Sequence, residues 1–172
     1  MSDSIEYVVA IDPSINSVGC AIFKKKTKQL VAKILLHPGK ISKESYLSKA
    51  RDIIDQITDV MFKYDTRPGY PSVQLVTEIP QHFGVGGYMA RESGAILKLT
   101  FIAGMIYNIT DTVISYEPNQ WKGQLPKDVV ARRLQKLYPE ENIYDVKKKK
   151  FIMDHNVVDA CAIGHVYLYG HI

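Results

Sequence analysis

Short apolar runs separated by polar turns mark strands in the first part of the chain. The run YVVAI at residues 7–11 is continuous and rich in β-branched side chains, which is typical of a buried strand. Residues 18–23 and 30–36 form two more such runs, and the lysine-rich stretch 24–28 between them predicts a hairpin tip. The fold is therefore expected to open with three consecutive strands.

The rest of the chain alternates between helical and strand patterns. In order, these patterns predict a helix at 44–64, a strand at 73–77, a helix at 88–108, a strand at 112–115 and helices at about 126–138 and 154–169. The fold class is therefore α/β: a five-stranded mixed sheet with its first three strands antiparallel, flanked by helices. We expect residues 1–172 to form one domain.

Composition places the chain among folded proteins that do not enter membranes. Of its 172 residues, 46% are hydrophobic and 23% are charged. The first residues, MSDSIE, do not resemble a signal peptide, and the most apolar stretch, 95–109, is shorter than a membrane span. Cys20 and Cys161 lie in separate apolar runs and are expected to be buried thiols. We therefore expect a cytoplasmic protein (in the host cytoplasm if it is viral) that is not secreted.

Positive charge is concentrated in one segment. Residues 116–150 contain nine basic and five acidic side chains, which gives +4, the net charge of the whole chain. Such a segment can bind phosphates, although a charged run can also be a solvated surface.

Two acidic residues stand where predicted buried strands end. Asp12 follows the first strand and Glu78 follows the fourth. A carboxylate beside a buried strand is costly unless it is paired, hydrogen-bonded or bound to a metal. Each could separately be a turn or strand-end residue.

A third acid, Asp159, lies within the apolar helical run VVDACAI. It needs a partner from the sheet, and few basic residues are obvious candidates for a structural ion pair. Three such carboxylates at one end of a sheet would repel one another unless divalent cations were bound between them. All-oxygen ligands favour Mg²⁺, with Mn²⁺ as a substitute. Two ions can stabilise the attacking and leaving oxygens of phosphodiester hydrolysis.

These motifs resemble the RuvC family of Holliday-junction resolvases, which belongs to the ribonuclease H-like superfamily. The resemblance is carried by IDPSINSVG at 11–19, the strand-end Glu78 and VVDACA at 157–162, and it covers nearly the whole chain. It implies a homodimeric endonuclease of DNA recombination and repair. The enzyme would hydrolyse symmetric strands of a four-way DNA junction with two Mg²⁺ ions.

The resemblance also assigns roles in the basic segment. PNQWK at 118–122, followed by Lys127, resembles the family's stretch with two lysines important for cleavage. By that likeness Lys122 would be catalytic and reach the scissile phosphate, whereas Lys127, Arg132 and Arg133 would contact the backbone of a neighbouring arm. Lys122 could instead be an exposed lysine beside a packed Trp121.

The fourth metal ligand departs from the family pattern. The family usually has Asp or His three residues before the helix aspartate, and here that residue is Asn156. Asp154 or His155 could supply the ligand instead, and Asp154 could alternatively be the helix N-cap.

Two further features follow the second acid. Phe83, in a Gly-rich loop, is expected to bind DNA by stacking on an unpaired base, or the loop is a plain flexible turn. The helix at 88–108 is apolar on more than one side. It is expected to form the dimer interface, with Gly94 and Gly104 allowing close approach, unless it is buried within one monomer.

Other functions are possible for the same pattern. A nuclease acting on an RNA–DNA hybrid or other branched DNA would need the same carboxylates. An actin-like ATPase or sugar kinase begins with a similar strand, aspartate and turn, but needs a second phosphate loop and a second domain. A non-catalytic nucleic-acid-binding module would have no need for the three acids.

Overall fold

Five strands form one sheet at the centre of the structure, a computed structural model that describes residues 5–39, 45–65, 72–80 and 94–172. Their spatial order is β3-β2-β1-β4-β5. In sequence the strands are β1 (Tyr7–Asp12), β2 (Val18–Lys24), β3 (Gln29–Leu36), β4 (Val73–Glu78) and β5 (Val113–Tyr116).

The pairing of the strands agrees with the sequence prediction. β1 and β2 are antiparallel, as are β2 and β3, whereas β4 runs parallel to both β1 and β5. The central strand β1 is buried along nearly its whole length. Because a strand that is apolar on both faces needs cover on both, this pattern requires a helical layer on each side of the sheet.

Helices supply these two layers. They are α1 (Tyr46–Tyr64), α2 (Ala95–Tyr107), α3 (Pro118–Trp121), α4 (Lys127–Leu137) and α5 (His155–Tyr169). Val9 and Ile11 of β1 belong to the core with α1 and α2, whereas Val8 and Ala10 belong to the core with α4 and α5. Alternate residues of one strand therefore face different helical layers.

The start and surroundings of α2 differ from the prediction. The helix begins at Ala95, because Gly94 has a φ of +67°, a left-handed conformation that glycine adopts without strain. The prediction that the helix runs through Gly94 is therefore wrong, and its first part, 88–93, lies outside the described residues. Ile102 and Ile106 are buried, but Leu97 is 75% exposed. Burial of all sides of this helix within one monomer is therefore also wrong.

Helix α5 crosses β1 and β2 at very short range. A Cβ atom on Gly19 would lie 2.0 Å from the backbone oxygen of Asn156, so only glycine lets helix and strand approach this closely. Further along the helix, a Cβ on Gly164 would lie 2.3 Å from the ring of Phe23. These two contacts hold the start and a more C-terminal part of α5 close to the sheet.

Several small elements were not predicted. They are α3, a 3₁₀ helix at Pro139–Glu141 and a hairpin of β6 (Tyr144–Asp145) and β7 (Lys150–Phe151). Cys20 and Cys161 are free and buried, as predicted. In the part of the chain that the structure describes, no helix is long and apolar enough to span a membrane.

Candidate active site

The parallel pairing of β1 and β4 brings Asp12 and Glu78 to the same edge of the sheet. Ile11 is the register partner of Thr77, so the next residue of each strand is an acid. By strand alternation these two acids share the face of Ala10 and Val76, on which α5 packs. Both carboxylates therefore point towards the helix that carries Asp159.

Asp159 lies in the second turn of α5 and is only 4% exposed. Its distance from the sheet is set by the contact between Gly19 and the start of the helix, since Gly19 is also the register partner of Asp12. One close approach thus places Asp159 beside Asp12. The three acids lie close enough to interact electrostatically: Glu78 and Asp159 both act on Asp12, and Asp159 acts on Glu78.

Burial and, to a smaller extent, the neighbouring acids raise the pKa of two of the carboxyls. Burial raises the pKa of Asp12 well above its ordinary value, and the negative charges of Glu78 and Asp159 raise it further, against the effect of Lys127 and Lys122. Burial also raises the pKa of Glu78, with a contribution from Asp159, while Lys122 and a hydrogen bond from Trp121 oppose the shift. The cluster therefore favours additional positive charge.

Lys127 supplies part of that positive charge. Its Nζ atom lies 2.9 Å from Oδ2 of Asp159, with half of the lysine side chain exposed. Burial opposes the charged form, but Asp159, Asp12 and Glu78 together raise the pKa of Lys127. The interpretation that Asp159 lacks an obvious basic partner is thus wrong. Lys127 lies at the carboxylates, because α4, which it begins, packs next to α5.

The short helix α3 positions two side chains beside Glu78. It follows β5, whose residue Tyr116 is the register partner of Glu78. The buried Trp121 donates a hydrogen bond of 2.7 Å from Nε1 to Oε2 of Glu78. The Nζ atom of Lys122 lies 4.6 Å from the centre of the Trp121 ring, a cation–π contact. Lys122 is therefore near the carboxylates and also beside the packed tryptophan. The sequence analysis had treated these two placements as alternatives.

The three candidates for a fourth ligand have different environments. Asp154 is the N-cap of α5, and its carboxylate accepts a hydrogen bond from the Asn156 backbone amide. His155 is exposed. Asn156 is buried and its side-chain amide donates a 2.8 Å hydrogen bond to the hydroxyl of Ser17. The N-cap alternative for Asp154 is thus confirmed, and Asn156 joins α5 to the loop after β1.

The remaining predicted DNA-binding residues have other partners in the fold or lie outside the described ranges. Phe83 belongs to the segment 81–93, which the structure does not describe. Arg132 is exposed and pairs with Asp128 on the same helix at 3.0 Å. Arg133 donates a 2.6 Å hydrogen bond to the backbone oxygen of Ile172. Their contact with DNA stays a prediction.

The donor chemistry of the cluster suits a hard divalent cation, because all three side chains offer carboxylate oxygens. Among the described residues, however, no group of three or more His, Cys, Asp or Glu side chains has the arrangement of a formed metal site. Two of the three carboxylates already have partners, since Lys127 pairs with Asp159 and Trp121 donates a hydrogen bond to Glu78. An ion would thus have to replace the Lys127 ammonium at Asp159.

The architecture places the chain in the class of ribonuclease H-like folds, with carboxylates on β1, β4 and the last helix. Within that class it is similar to two structures of Thermus thermophilus RuvC, each with a TM-score of 0.60. One is RuvC in complex with a Holliday junction substrate, 18% identical in sequence, with 95% of this chain and 94% of that chain covered. The other is 19% identical and covers 95% of both chains. The sequence matches no family model and no curated protein.

Proposed function

We propose that this protein is a metal-dependent endonuclease that resolves four-way DNA junctions. The observation that carries the proposal is the convergence of Asp12, Glu78 and Asp159 on one face of the sheet, with Lys122 and Lys127 within electrostatic range. The RuvC fold supports it, since the similar Thermus thermophilus protein was solved with a Holliday junction substrate.

In the proposed reaction, water attacks the phosphorus atom and the bond from phosphorus to O3′ breaks. The products carry a 5′-phosphate and a 3′-hydroxyl, and the proton of the attacking water balances the departing oxygen. Asp12, Glu78 and Asp159 would hold Mg²⁺ or Mn²⁺, with Asn156 as the candidate for a fourth ligand. Two such ions, when bound, would supply charge stabilisation at the attacking and leaving oxygens.

The chain's other residues prepare the site for this reaction. Trp121 fixes the orientation of Glu78 through its indole N–H. Lys122, which contacts the Trp121 ring, offers a positive charge to the phosphate oxygens as negative charge develops on them. Lys127 neutralises Asp159 when no ion is bound and can turn to the DNA when one is, because half of its side chain is exposed.

The two-fold symmetry of a four-way junction favours a homodimer, since two copies place one site on each of two symmetric strands. We propose that the second copy binds the exposed side of α2. An apolar groove lies there, lined by Leu97, Thr100, Phe101, Gly104 and Met105. A Cβ added to Gly104 would meet no atom of the described residues within 4 Å, which leaves room for close approach of another helix.

The proposal is tested by offering the purified protein three substrates: a synthetic four-way junction, a linear duplex and an RNA–DNA hybrid. Each is incubated with Mg²⁺ or with EDTA. We expect paired nicks in the junction with Mg²⁺ and none with EDTA. Asp12→Asn and Asp159→Asn are expected to abolish the cutting, because each removes a carboxylate charge from the cluster. Asp59→Asn, which alters an exposed acid on α1, is the matched control and should cut normally.

Each other outcome has a definite meaning. Inactivity on all three substrates, or cutting that survives Asp12→Asn, would contradict the nuclease assignment. Preferential cutting of the hybrid would identify a ribonuclease instead. ATP hydrolysis would favour the kinase-like alternative.

A further inference from the structure

A cluster of four consecutive lysines lies outside the candidate active site. Lys147–Lys150 form the turn of the β6–β7 hairpin and its first returning residue, and all four are exposed. We call residues 144–151 the lysine hairpin. Four lysines against the single acid Asp145 give it a net charge of +3.

The backbone of this turn is held in a defined shape. The Oδ1 atom of Asp145 accepts hydrogen bonds of 3.0 Å from the backbone amides of both Lys147 and Lys148. Lys149 has a φ of +50°, a left-handed conformation that costs a non-glycine residue about 1 kcal/mol or more. Here one acid fixes the turn, and its Oδ2 atom lies 3.8 Å from the ammonium nitrogen of Lys148, whose side chain is nevertheless mostly exposed.

The hairpin is also attached firmly to the rest of the fold. Tyr144 is buried and packs edge-on against the ring of Phe151, with the centroids 5.4 Å apart. The side-chain oxygen of Gln135, on α4, accepts hydrogen bonds from the backbone amides of Ile143 and Tyr144 at 2.6 and 2.9 Å. The lysines are therefore presented from a rigid base.

This base lies close to the catalytic helix along the chain. Four residues after Lys150 comes Asp154, the N-cap of α5, and Asp159 follows five residues later. The chain from Lys150 to Asp154 spans at most about 14 Å when fully extended, and the helix from Asp154 to Asp159 adds about 7 Å. Since duplex DNA rises about 3.4 Å per base pair, the hairpin lies within about six base pairs of a scissile phosphate held at the proposed active site.

We propose that the lysine hairpin binds the phosphate backbone of the duplex arm next to the cleavage site. This inference rests on the proposed function, from which it takes DNA as the ligand. It adds a second contact surface, separate from the carboxylates and from Lys122 and Lys127. Lysine–phosphate contacts of this kind are independent of base sequence and position the duplex.

The test compares two triple variants of equal charge. The first is Lys147→Gln, Lys148→Gln and Lys150→Gln, which leaves the left-handed Lys149 in place. The control is Lys24→Gln, Lys25→Gln and Lys26→Gln at the β2–β3 turn, which leaves the left-handed Lys28 and its cation–π contact with Tyr169 in place. That turn lies at the opposite end of the sheet from the carboxylates, because Lys24 pairs with Tyr7 at the start of β1.

Affinity for a fluorescent four-way junction is measured in EDTA by anisotropy over a range of salt concentrations. For the hairpin variant we expect affinity about tenfold weaker or more, and a slope of log K against log salt reduced by about 2 to 3, since each phosphate contact contributes about 0.9. The control is expected to stay within about twofold of the unmodified protein. Thermal melts should be the same for all three proteins, because the altered side chains are exposed or partly exposed and none of them is buried.

The two proposals fail in distinguishable ways. A hairpin variant with the unmodified slope, or an equal loss in both variants, overturns the hairpin proposal while normal junction cutting leaves the nuclease assignment intact. An unmodified protein that binds no junction overturns both.

Discussion

The contact between Gly19 and α5 gives the sharpest single-residue prediction. In the variant Gly19→Ala the new Cβ would lie 2.0 Å from the Asn156 oxygen, 2.2 Å from the Asn156 carbonyl carbon and 2.6 Å from the Val157 nitrogen. All three are backbone atoms of a helix, so no side-chain rotation relieves the overlap. The helix must move away from the strand.

The size of this movement follows from the distances. Ordinary contact begins at 3.4 Å and the closest approach would be 2.0 Å, so the start of α5 has to move by the difference, about 1.4 Å. Asp159 is three residues beyond Asn156 on the same helix and moves with it, while Asp12 remains opposite Gly19. A misplacement of about 1 Å can lower a rate about 100-fold, and overpacking costs about 1 to 3 kcal/mol of stability. We expect both effects in Gly19→Ala.

The assay pairs Gly19→Ala with Gly164→Ala on the same helix. A Cβ at residue 164 would lie 2.3 Å from Phe23, also too close, but more than a turn beyond Asp159 and against a side chain. Unfolding in urea gives the stability of both variants, and single-turnover cutting of a four-way junction gives their rates. Gly164→Ala, the control, should unfold at a lower urea concentration without a comparable loss in the rate of junction cutting.

Two results would refute the reasoning. Gly19→Ala cutting at the normal rate would show that Asp159 does not depend on this contact. An equal loss of rate in Gly164→Ala at matched stability would attribute the effect to general destabilisation of the helix.

Two further predictions concern the charges of the cluster. The pKa of Asp12 is higher in the folded protein than in the unfolded chain. At pH values between about 3.9 and the folded pKa, the native state therefore binds more protons than the unfolded state. The free energy of unfolding thus falls as pH rises through that window. Asp12→Asn in metal-free buffer should therefore be more stable at neutral pH by about 1 to 2 kcal/mol, with the difference vanishing below about pH 4 in urea titrations; equal stability at neutral pH would contradict this. Lys127→Met removes the ammonium that competes for Asp159, so Mn²⁺ should bind about fivefold more tightly by calorimetry, corresponding to about 1 kcal/mol for a half-exposed ion pair. Unchanged or weaker binding would show that Lys127 does not compete with the ion.

Much of the sheet and all three acids were predictable because they follow simple local patterns. The runs YVVAI and VQLVT are long enough to identify as strands, and an acid follows each run directly. Asp159 was identifiable because a carboxylate within an apolar helix is unusual. These signals depend only on neighbouring residues, which is why the sequence was sufficient.

The features that were missed depend on tertiary contacts or on very short elements. The ion pair of Lys127 with Asp159 joins two helices whose packing no local pattern specifies. The strands β6 and β7 have two residues each, too few for an alternating pattern, so their lysines were identified only as part of a basic segment. The start of α2 was misplaced because Gly94 fits either inside a helix or at its left-handed end.

The hydrogen bond from Trp121 to Glu78 has a practical consequence. The chain contains a single tryptophan, and its indole N–H donates directly to one of the three carboxylates. Indole emission responds to the charge and hydrogen bonding around the ring, and the positive charge of Lys122 lies over that ring as well. The protein therefore contains its own optical reporter, through which events at Glu78 can be followed in unlabelled material.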